Sequence, residues 1–336
     1  MTALHHASSR LQNRRSIRRL LAAALLTALP LTATAQPPQK YPVKPIRLIC
    51  AFTPGGTTDI LARIITPGMS EAWGQPIVLE ARPGAGGTLA AALVSKAAPD
   101  GYTLLATSAA IVISSAASSN LQYDLLKDFA TISELGSSIS VLVVSPSLGV
   151  KTVKEFIALA NARQGKLLFG STGALTSTHL GAERFRAAAG IRAQHVGFKG
   201  QSEFLIEIMA DRIHFGAPGL TTALPMIKDG KLTPLLVATP QRSPALPDVP
   251  SAGEALPAWS RDGSQAWFAP AGTPRAIRQQ ISRELARQLA RPEVKERLNN
   301  LAFQIAHTTP EEHEKNLRAD LETFSRIVRE TGMKPR

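Results

Sequence analysis

Short apolar stretches alternate with helical patterns along most of this chain. Eight of these stretches predict strands, at residues 46–52, 77–80, 102–106, 141–144, 167–169, 193–196, 213–216 and 235–238. After the first strand, Ile60, Ile64 and Ile65 recur at the spacing of a helix over residues 59–72. Such alternation predicts parallel strands connected by helices, and therefore an α/β fold.

Helix start signals and later periodicities extend this interpretation. Thr152 and Glu155 have the spacing of a capping box, and Thr309 precedes a proline at the first helical position. Two amphipathic helices are predicted from apolar positions three or four residues apart, at Ile277, Ile281, Leu285 and Leu289, and at Leu317, Leu321, Phe324 and Val328. Five prolines between residues 239 and 257 predict an irregular connection over the surface.

The first 35 residues have the composition of an export signal. Five arginines precede an uncharged apolar run at residues 20–31, and Ala33-Thr34-Ala35 then forms a small-x-small cleavage pattern. We therefore expect residues 1–35 to be a signal peptide. The pair Arg14-Arg15 also resembles a twin-arginine signal, so the sequence leaves the export route open.

Composition and charge narrow the functional classes. The chain has 336 residues, 44% of them hydrophobic and 5% aromatic, with a formal net charge of +13. Because the leader contains five of the arginines and no acidic residue, the mature chain has a charge of +8. The low number of aromatic residues and the lack of a basic motif argue against nucleic-acid binding. The excess of positive charge therefore predicts a solvated basic surface. The single cysteine, Cys50, lies in an apolar run and is expected to be a buried thiol.

Residues 101–123 form an uncharged stretch with the length of a membrane span. It is interrupted by five serines and Asn120, which hydrocarbon would penalise. We therefore expect a buried strand followed by a loop. The roughly 300 residues that follow the leader predict two domains.

Patterns for catalysis and metal binding are absent from the mature sequence. No two histidines have zinc-site spacing, and Gly170-Ser171-Thr172-Gly173 lacks the intervening residue of a nucleophile elbow. The glycines of Arg82-Pro83-Gly84-Ala85-Gly86-Gly87 lack the later lysine of a phosphate loop, which favours a tight turn between strand and helix. We expect no catalytic residues, no metal and no cofactor.

Two loops combine glycines with hydroxyl side chains directly after predicted strands. Residues 52–59 join the first strand to the first helix, and residues 170–179 follow the strand at 167–169. Paired glycines let the backbone approach a ligand, and the free N–H groups at a helix N-terminus suit a carboxylate. Thr57 or Thr58 is expected to cap the first helix. Because ligands bind at the carboxyl ends of strands in such sheets, the loops predict two opposed anion-binding walls.

Seven motifs distributed over the mature chain point to one family. They are Tyr41-Pro42-x-Lys44-Pro45-Ile46, Pro54-Gly55-Gly56-x-x-Asp59, Arg82-Pro83-Gly84-Ala85-Gly86-Gly87, Pro99-Asp100-Gly101-Tyr102-Thr103-Leu104, Tyr123-Asp124-x-x-Lys127-Asp128-Phe129, Ser243-Pro244-Ala245-Leu246-Pro247-Asp248-Val249-Pro250 and Ala269-Pro270-Ala271-Gly272-Thr273-Pro274. In these motifs the sequence resembles the substrate-binding receptors of tripartite tricarboxylate transporters, the Bug family of periplasmic receptors.

The resemblance implies an α/β, two-lobed periplasmic-binding-protein-like fold of type II, with a hinge and an interlobe cleft. The first lobe is expected to contain residues 41–140 and 261–336, and the second lobe residues 141–260. The chain crosses between them near residues 138–141 and 260–265. A small organic acid would be captured in the cleft and delivered to membrane permease subunits. The receptor would be a periplasmic monomer without enzymatic activity.

The site residues follow from the same resemblance. In the family, the loops that match residues 54–59 and 171–179 hold the ligand's carboxylates through backbone amides, hydroxyls and water. The candidate ligand-binding residues are Phe52, Pro54, Gly55, Gly56, Thr57, Asp59, Thr107, Ser108, Ser171, Thr172, Thr176, Ser177, His179, Phe198 and Gly219.

Two departures from the family pattern bear on specificity. Relatives commonly have His-Val-Pro-Tyr-Lys-Gly where this chain has His195-Val196-Gly197-Phe198-Lys199-Gly200, which removes a phenol hydroxyl. Several relatives place an acidic residue where Pro218-Gly219 stands here. Since an amino acid needs a counter-charge for its ammonium group, we expect a carboxylate ligand without an amine.

Three alternatives stay open from the sequence. A secreted enzyme on the same scaffold would have a nucleophile and a base together in the cleft. A ligand sensor would report to a membrane signalling partner through the same closure. A third alternative is a receptor for a small molecule that is not a carboxylate.

Overall fold

A computed structural model of the protein describes residues 41–118, 120–163, 165–257, 259 and 263–331. The predicted signal peptide, residues 1–35, lies outside the described residues. From residue 42 onward the strands form two sheets, one of six strands and one of five.

The first sheet has the strand order β11-β4-β10-β3-β1-β2. Its strands are β1 (Ile46–Cys50), β2 (Ile77–Ala81), β3 (Thr103–Ser108), β4 (Phe129–Ser138), β10 (Gly263–Pro270) and β11 (Phe303–Ile305). β1 pairs in parallel with β2 and β3, whereas β10 is antiparallel to both β3 and β4. β11 is antiparallel to β4.

The second sheet has the strand order β7-β6-β8-β5-β9. Its strands are β5 (Val141–Val144), β6 (Leu167–Ser171), β7 (Ala193–Gly197), β8 (Phe215–Gly216) and β9 (Thr233–Val237). β6 is parallel to β7 and β8, and β5 is antiparallel to β8 and β9.

Eleven α-helices connect or cover these strands in the described part of the chain. They are α1 (Thr57–Trp73), α2 (Thr88–Ser95), α3 (Ala110–Ala117), α4 (Val153–Ala162), α5 (Ser177–Ala188), α6 (Gln201–Met209), α7 (Leu220–Lys228), α8 (Ala252–Ala255), α9 (Arg275–Ala290), α10 (Pro292–Asn300) and α11 (Pro310–Thr331). The predicted start signals are confirmed, because Thr152 caps α4 and Pro310 begins α11.

Apolar clusters give each sheet a core. On the first sheet, α3 and α11 bury Phe129, Phe268, Leu317 and Phe324 in one cluster. On the second sheet, Phe156, Phe169, Phe185 and Phe215 form a cluster with aromatic ring contacts, and Phe204, Leu205 and Ile208 of α6 belong to a separate one. The α/β prediction is confirmed.

Parallel pairing and the two loop predictions need correction. All eight predicted strands are present, but the sequence interpretation missed β4, β10 and β11. Both sheets are mixed and not purely parallel, because the missed β10 and the predicted β5 run antiparallel to their neighbours. The stretch after β3 forms helix α3 instead of a loop, since Ile111, Val112 and Ile113 pack into the core. The proline-rich connection contains α8 and buries Leu246 and Val249.

Only two residues connect the sheets where the chain first passes between them. β4 ends at Ser138 and β5 begins at Val141. Both connecting carbonyls accept hydrogen bonds from the second sheet's elements, Ile139 from the N–H of Leu220 at 2.6 Å and Ser140 from the N–H of Ala238 at 2.8 Å.

Candidate ligand-binding site

The first ligand loop turns tightly into helix α1. Gly56 occupies the N-cap position, and no side chain caps the helix, so the prediction that Thr57 or Thr58 caps it is wrong. The buried Asp59 carboxylate accepts the N–H of Gly55 at 2.9 Å and pairs with Arg63 at 2.8 Å. Asp59 therefore holds the loop, and among the described residues no side chain caps the first N–H groups of α1.

Hydroxyl side chains bond backbone groups in the second ligand loop. Thr176 caps α5, since its oxygen accepts the N–H of His179 at 3.3 Å and its hydroxyl donates to the carbonyl of Gly173 at 2.8 Å. The hydroxyl oxygen of Thr178 accepts the N–H of Thr172 at 2.9 Å. These bonds fix the loop, and the first residues of α5 line the same cavity as those of α1.

Direct contacts join the β1–α1 loop to helices of the second sheet. The hydroxyl of Ser202 donates to the carbonyl of Pro54 at 3.0 Å, and the Thr57 and Thr222 hydroxyl oxygens lie 3.0 Å apart. Gln201 donates from Nε2 to the hydroxyl of Thr57 at 3.4 Å and accepts the N–H of Gly219 at 2.8 Å. The cleft between the two sheets is therefore closed in this structure.

A small cavity, here called the inner cavity, remains between these walls. Its volume is about 10 Å³, enough for about one water molecule. It is lined by Phe52, Gly56, Thr57, Thr58, Ser108, Thr172, Ser177, Thr178, Gln201 and Gln265. Among the described residues that line it, none is charged, so its polar groups are hydroxyls, amides and backbone groups.

Six of the fifteen predicted site residues line the inner cavity. They are Phe52, Gly56, Thr57, Ser108, Thr172 and Ser177. Four lining residues were missed, namely Thr58, Thr178, Gln201 and Gln265. Thr58 and Thr178 belong to the two recognised loops, where neighbouring hydroxyls were the available signal. Gln265 lies on the missed strand β10, and its Oε1 accepts the hydroxyl of Thr58 at 2.7 Å.

The other predicted site residues lie nearby with different contacts. Pro54, Gly55, Asp59, Thr176 and Gly219 shape the loops and the contacts described above. Thr107 is a buried residue of β3 that pairs with Ala266. Phe198 lines a separate cavity, and its ring lies 6.5 Å from that of Phe204.

Ser171 and His195 form the hydrogen-bonded pair that an enzyme hypothesis would require. The Ser171 Oγ and His195 Nε2 atoms are 2.6 Å apart. However, the Ser171 side chain has no solvent exposure, and its oxygen also accepts the N–H of Gly173 at 3.1 Å. The rings of His179 and His195 lie 4.1 Å apart beside Phe169. In this closed structure the cluster packs against the second ligand loop, and the Ser171 hydroxyl is buried.

The larger cavity that Phe198 lines is here called the outer cavity. Its volume is about 630 Å³. Its walls are formed by Gly84, Ala85, Gly86, Thr88, Ser114, Ser118, Leu121, Gly173, Ala174, Leu175, His195, Gly197, Phe198, Lys199 and Glu203. It shares no lining residue with the inner cavity.

The remaining chemical features of the described residues concern metal ligation, thiol reactivity and membrane insertion. Within the described ranges, no cluster of three or more His, Cys, Asp or Glu side chains is arranged to hold a metal ion. Burial, and secondly the nearby Asp59 charge, raise the pKa of Cys50 to about 12, so its thiol stays protonated. None of the described helices combines the length and the apolar character that a membrane crossing requires.

Comparison with known proteins identifies the family. The model of the tripartite tricarboxylate transporter family receptor matches residues 61–333. A UPF0065 protein from the tcbD-tcbE intergenic region of Pseudomonas sp. (strain P51) is 31% identical over 313 residues, or 93% of each chain.

Solved structures agree with the family match. An R. palustris protein solved with adipate is 28% identical, with a TM-score of 0.84 over 88% of this chain and 100% of that one. MatC from Rhodopseudomonas palustris, solved with bound malate, is 27% identical, with a TM-score of 0.81 over 86% of this chain and 100% of that one. The predicted two-lobed fold is confirmed. The chain belongs to the receptor family of tripartite tricarboxylate transporters, whose members are periplasmic solute-binding proteins and not enzymes.

Proposed function

We propose that this receptor captures a small organic acid in the cleft between its two sheets and delivers it to a membrane permease of the tripartite tricarboxylate type. The inner cavity is the observation that carries this proposal. It lies between the N-termini of α1 and α5, whose first N–H groups favour an anion. The adipate and malate bound by two structural relatives support a carboxylate as the ligand class.

The cavity's size supports binding by closure of the two lobes. An acid of several carbon atoms does not fit in about 10 Å³, so the walls must separate to admit it and must stay further apart around the bound acid than they are in this structure. We propose that residues 41–140 and 261–336 move as one lobe against residues 141–260. The division of β1–β4, β10 and β11 from β5–β9 between two sheets supports this boundary.

The lining supports an acid without an amine. An ammonium group in a closed cleft needs a counter-charge, and the described lining residues of the inner cavity provide none. The nearby carboxylate of Asp59 is already bonded to Gly55 and Arg63. Hydroxyls and N–H groups can instead stabilise a carboxylate, and exclusion of bulk water strengthens these bonds.

A thermal-shift screen of the mature protein tests the ligand class. Citrate, malate, adipate and aromatic acids are compared with aspartate and glutamate, since a ligand of the native state raises the melting temperature. We expect the largest shift from an acid without an amine. A larger shift with aspartate or glutamate contradicts the specificity proposal, and no shift with any acid contradicts the carboxylate proposal.

A matched pair of variants assigns the shift to the inner cavity. Thr58→Val removes a lining hydroxyl and preserves the side-chain shape, whereas Thr66→Val makes the same change at a buried position of α1 that does not line the cavity. We expect the first variant to reduce the shift and the second to retain it. Uptake of the identified acid by membranes containing the permease, measured with and without the receptor, then tests delivery.

A further inference from the structure

Basic side chains lie together at one end of the second sheet. β6 and β7 run in parallel with Leu167 opposite Ala193, so both strands begin at the same end of the sheet. Lys166 and Arg192 directly precede these paired positions, and both are exposed. A Cβ atom on Gly165 would lie 3.4 Å from the Cβ of Arg192, so the two chain segments approach each other closely.

Arg163 completes this group, here called the basic end and defined by Arg163, Lys166 and Arg192. The N–H of Lys166 donates to the carbonyl of Arg163 at 3.0 Å, and the Arg163 side chain is exposed. Burial, and secondly the positive charge of Arg163, lower the pKa of His214, which lies directly before β8. Since β8 is parallel to β6, the basic end lies at the starts of three adjacent strands.

The basic end has few counter-charges. Nearby Arg212 pairs with Glu207, whereas no salt bridge involves any of the three side chains of the basic end within the described ranges. Asp211 is exposed beside His214, which leaves a net charge of +2 on Asp211 and the basic end together.

Helix α9 and the start of α10 also contain many arginines, but their charges are better compensated. Salt bridges to glutamates involve Arg275, Arg287 and Arg291. The basic end is therefore the place where neighbouring positive charges stay available to an outside partner.

No apolar patch accompanies these charges. Six large apolar side chains are exposed among the described residues, and none of them belongs to residues 163–166, 190–192 or 211–214. Interfaces between proteins usually have an apolar core rich in aromatic residues, which this surface lacks. Arginine and lysine side chains on an open surface suit instead a layer of negative charge, such as the phosphate groups of acidic lipids.

We propose that the basic end holds the receptor on a membrane surface by binding the phosphate groups of acidic lipids. β6 runs from the basic end to the second ligand loop, and its five residues span about 16 Å. The lipid surface therefore contacts the second sheet at the end opposite the second ligand loop and leaves the cleft uncovered. This inference goes beyond the proposed function and holds for any ligand in the cleft.

Sedimentation of the mature protein with lipid vesicles tests this surface. Vesicles with equal parts of phosphatidylglycerol and phosphatidylcholine should bind the protein at low salt, whereas vesicles of phosphatidylcholine alone should not. Raising the salt concentration to about 0.5 M should release the protein, because salt screens exposed charges. Each basic side chain near an acidic surface changes the affinity about fivefold, so Arg163→Gln, Lys166→Gln and Arg192→Gln together should weaken binding about a hundredfold.

A second triple variant controls for the loss of net charge. Arg283→Gln, Arg297→Gln and Lys315→Gln also remove two arginines and one lysine, at exposed positions of α9, α10 and α11 that have no salt bridge in the described part of the chain. This control should keep most of the binding to acidic vesicles, and the melting temperatures of both variants should match that of the parent. If the first triple variant melts lower, its three single variants replace it, each with an expected loss of about fivefold.

Three outcomes would overturn the inference. They are an equal loss of binding in both triple variants, equal binding to vesicles without acidic lipid, and no binding to the acidic vesicles. Because the sedimentation mixture contains no organic acid, each of these outcomes is independent of the proposed function.

Discussion

Closure of the cleft depends on the absence of a side chain at Gly200. This residue precedes α6 and has a φ of −162°, which alanine adopts without strain. A Cβ atom at this position would lie 1.6 Å from the Thr53 hydroxyl oxygen, 2.8 Å from its Cβ and 3.2 Å from its backbone nitrogen. Rotation of the threonine side chain removes only the first of these contacts. Gly200→Ala therefore forces the β1–α1 loop and α6 apart.

The expected effect falls on ligand affinity more than on folding. Separation breaks the contacts of Ser202 and Gln201 with the β1–α1 loop, so that a bound acid keeps the hydrogen bonds of one wall only. Loss of about two charge-assisted hydrogen bonds costs about 3 kcal/mol, or about 150-fold in affinity. The core residues of α6, Phe204, Leu205 and Ile208, pack in a cluster of the second sheet and move with it, so the melting temperature without ligand should change little.

Calorimetry with the acid identified by the thermal-shift screen measures this loss, and small-angle X-ray scattering measures closure. Thr53→Gly in the Gly200→Ala background removes the two closest contacts and should restore much of the affinity. Ser202→Ala deletes the hydrogen bond to Pro54 without adding an atom, and it should reduce the ligand affinity far less than Gly200→Ala does. An affinity of Gly200→Ala within threefold of the parent, with unchanged scattering, would refute the reasoning.

Three further predictions concern stability and the walls of the site. Burial lowers the pKa of His313 to about 3, whereas its pKa in the unfolded chain is about 6.5, so the free energy of unfolding falls as the pH drops below 6.5, by about 2 kcal/mol at pH 5. Urea denaturation of His313→Gln should show a smaller loss over this pH range, and an equal loss would exclude His313 as its source. Gln201→Ala removes the hydrogen bonds to Thr57 and Gly219 and should weaken acid binding about tenfold by calorimetry, whereas unchanged affinity would show that the bridge is dispensable. Asp59→Asn should lower the free energy of unfolding by about 1 kcal/mol but change acid affinity less than threefold, and a tenfold loss would instead indicate direct contact with the ligand.

Local sequence patterns predicted those parts of the inner cavity's lining that a single loop determines. The glycines and hydroxyls of residues 52–59 and 170–179 occupy the two walls, and Thr152 caps α4 as its spacing with Glu155 indicates. The chemistry of each loop is contained in consecutive residues, so no knowledge of distant contacts was needed. Helix propensity and capping act over the same short range.

Contacts between distant segments account for what the sequence did not predict. Gln265 reaches the inner cavity because β10 pairs with β3, where Gln265 lies opposite Ser108. Thr57 and Thr58 have the residue type of a helix cap, but their hydroxyls bond Thr222 and Gln265 instead. Tertiary hydrogen bonds therefore outweigh the local capping preference, and no spacing rule along the chain encodes them.

The position of β10 also determines when the first sheet can form. β10 lies between β3 and β4, yet all five strands of the second sheet precede it in the chain. Until residues 263–270 become available, β3 and β4 lack the strand that joins them, and their edges remain unpaired. Pairing of β10 with β3 and β4 joins segments that are far apart in the sequence, which slows folding. The growing chain therefore stays unfolded until β10 has been synthesised. A truncated chain that ends before β10 should therefore fail to fold its first sheet and should aggregate.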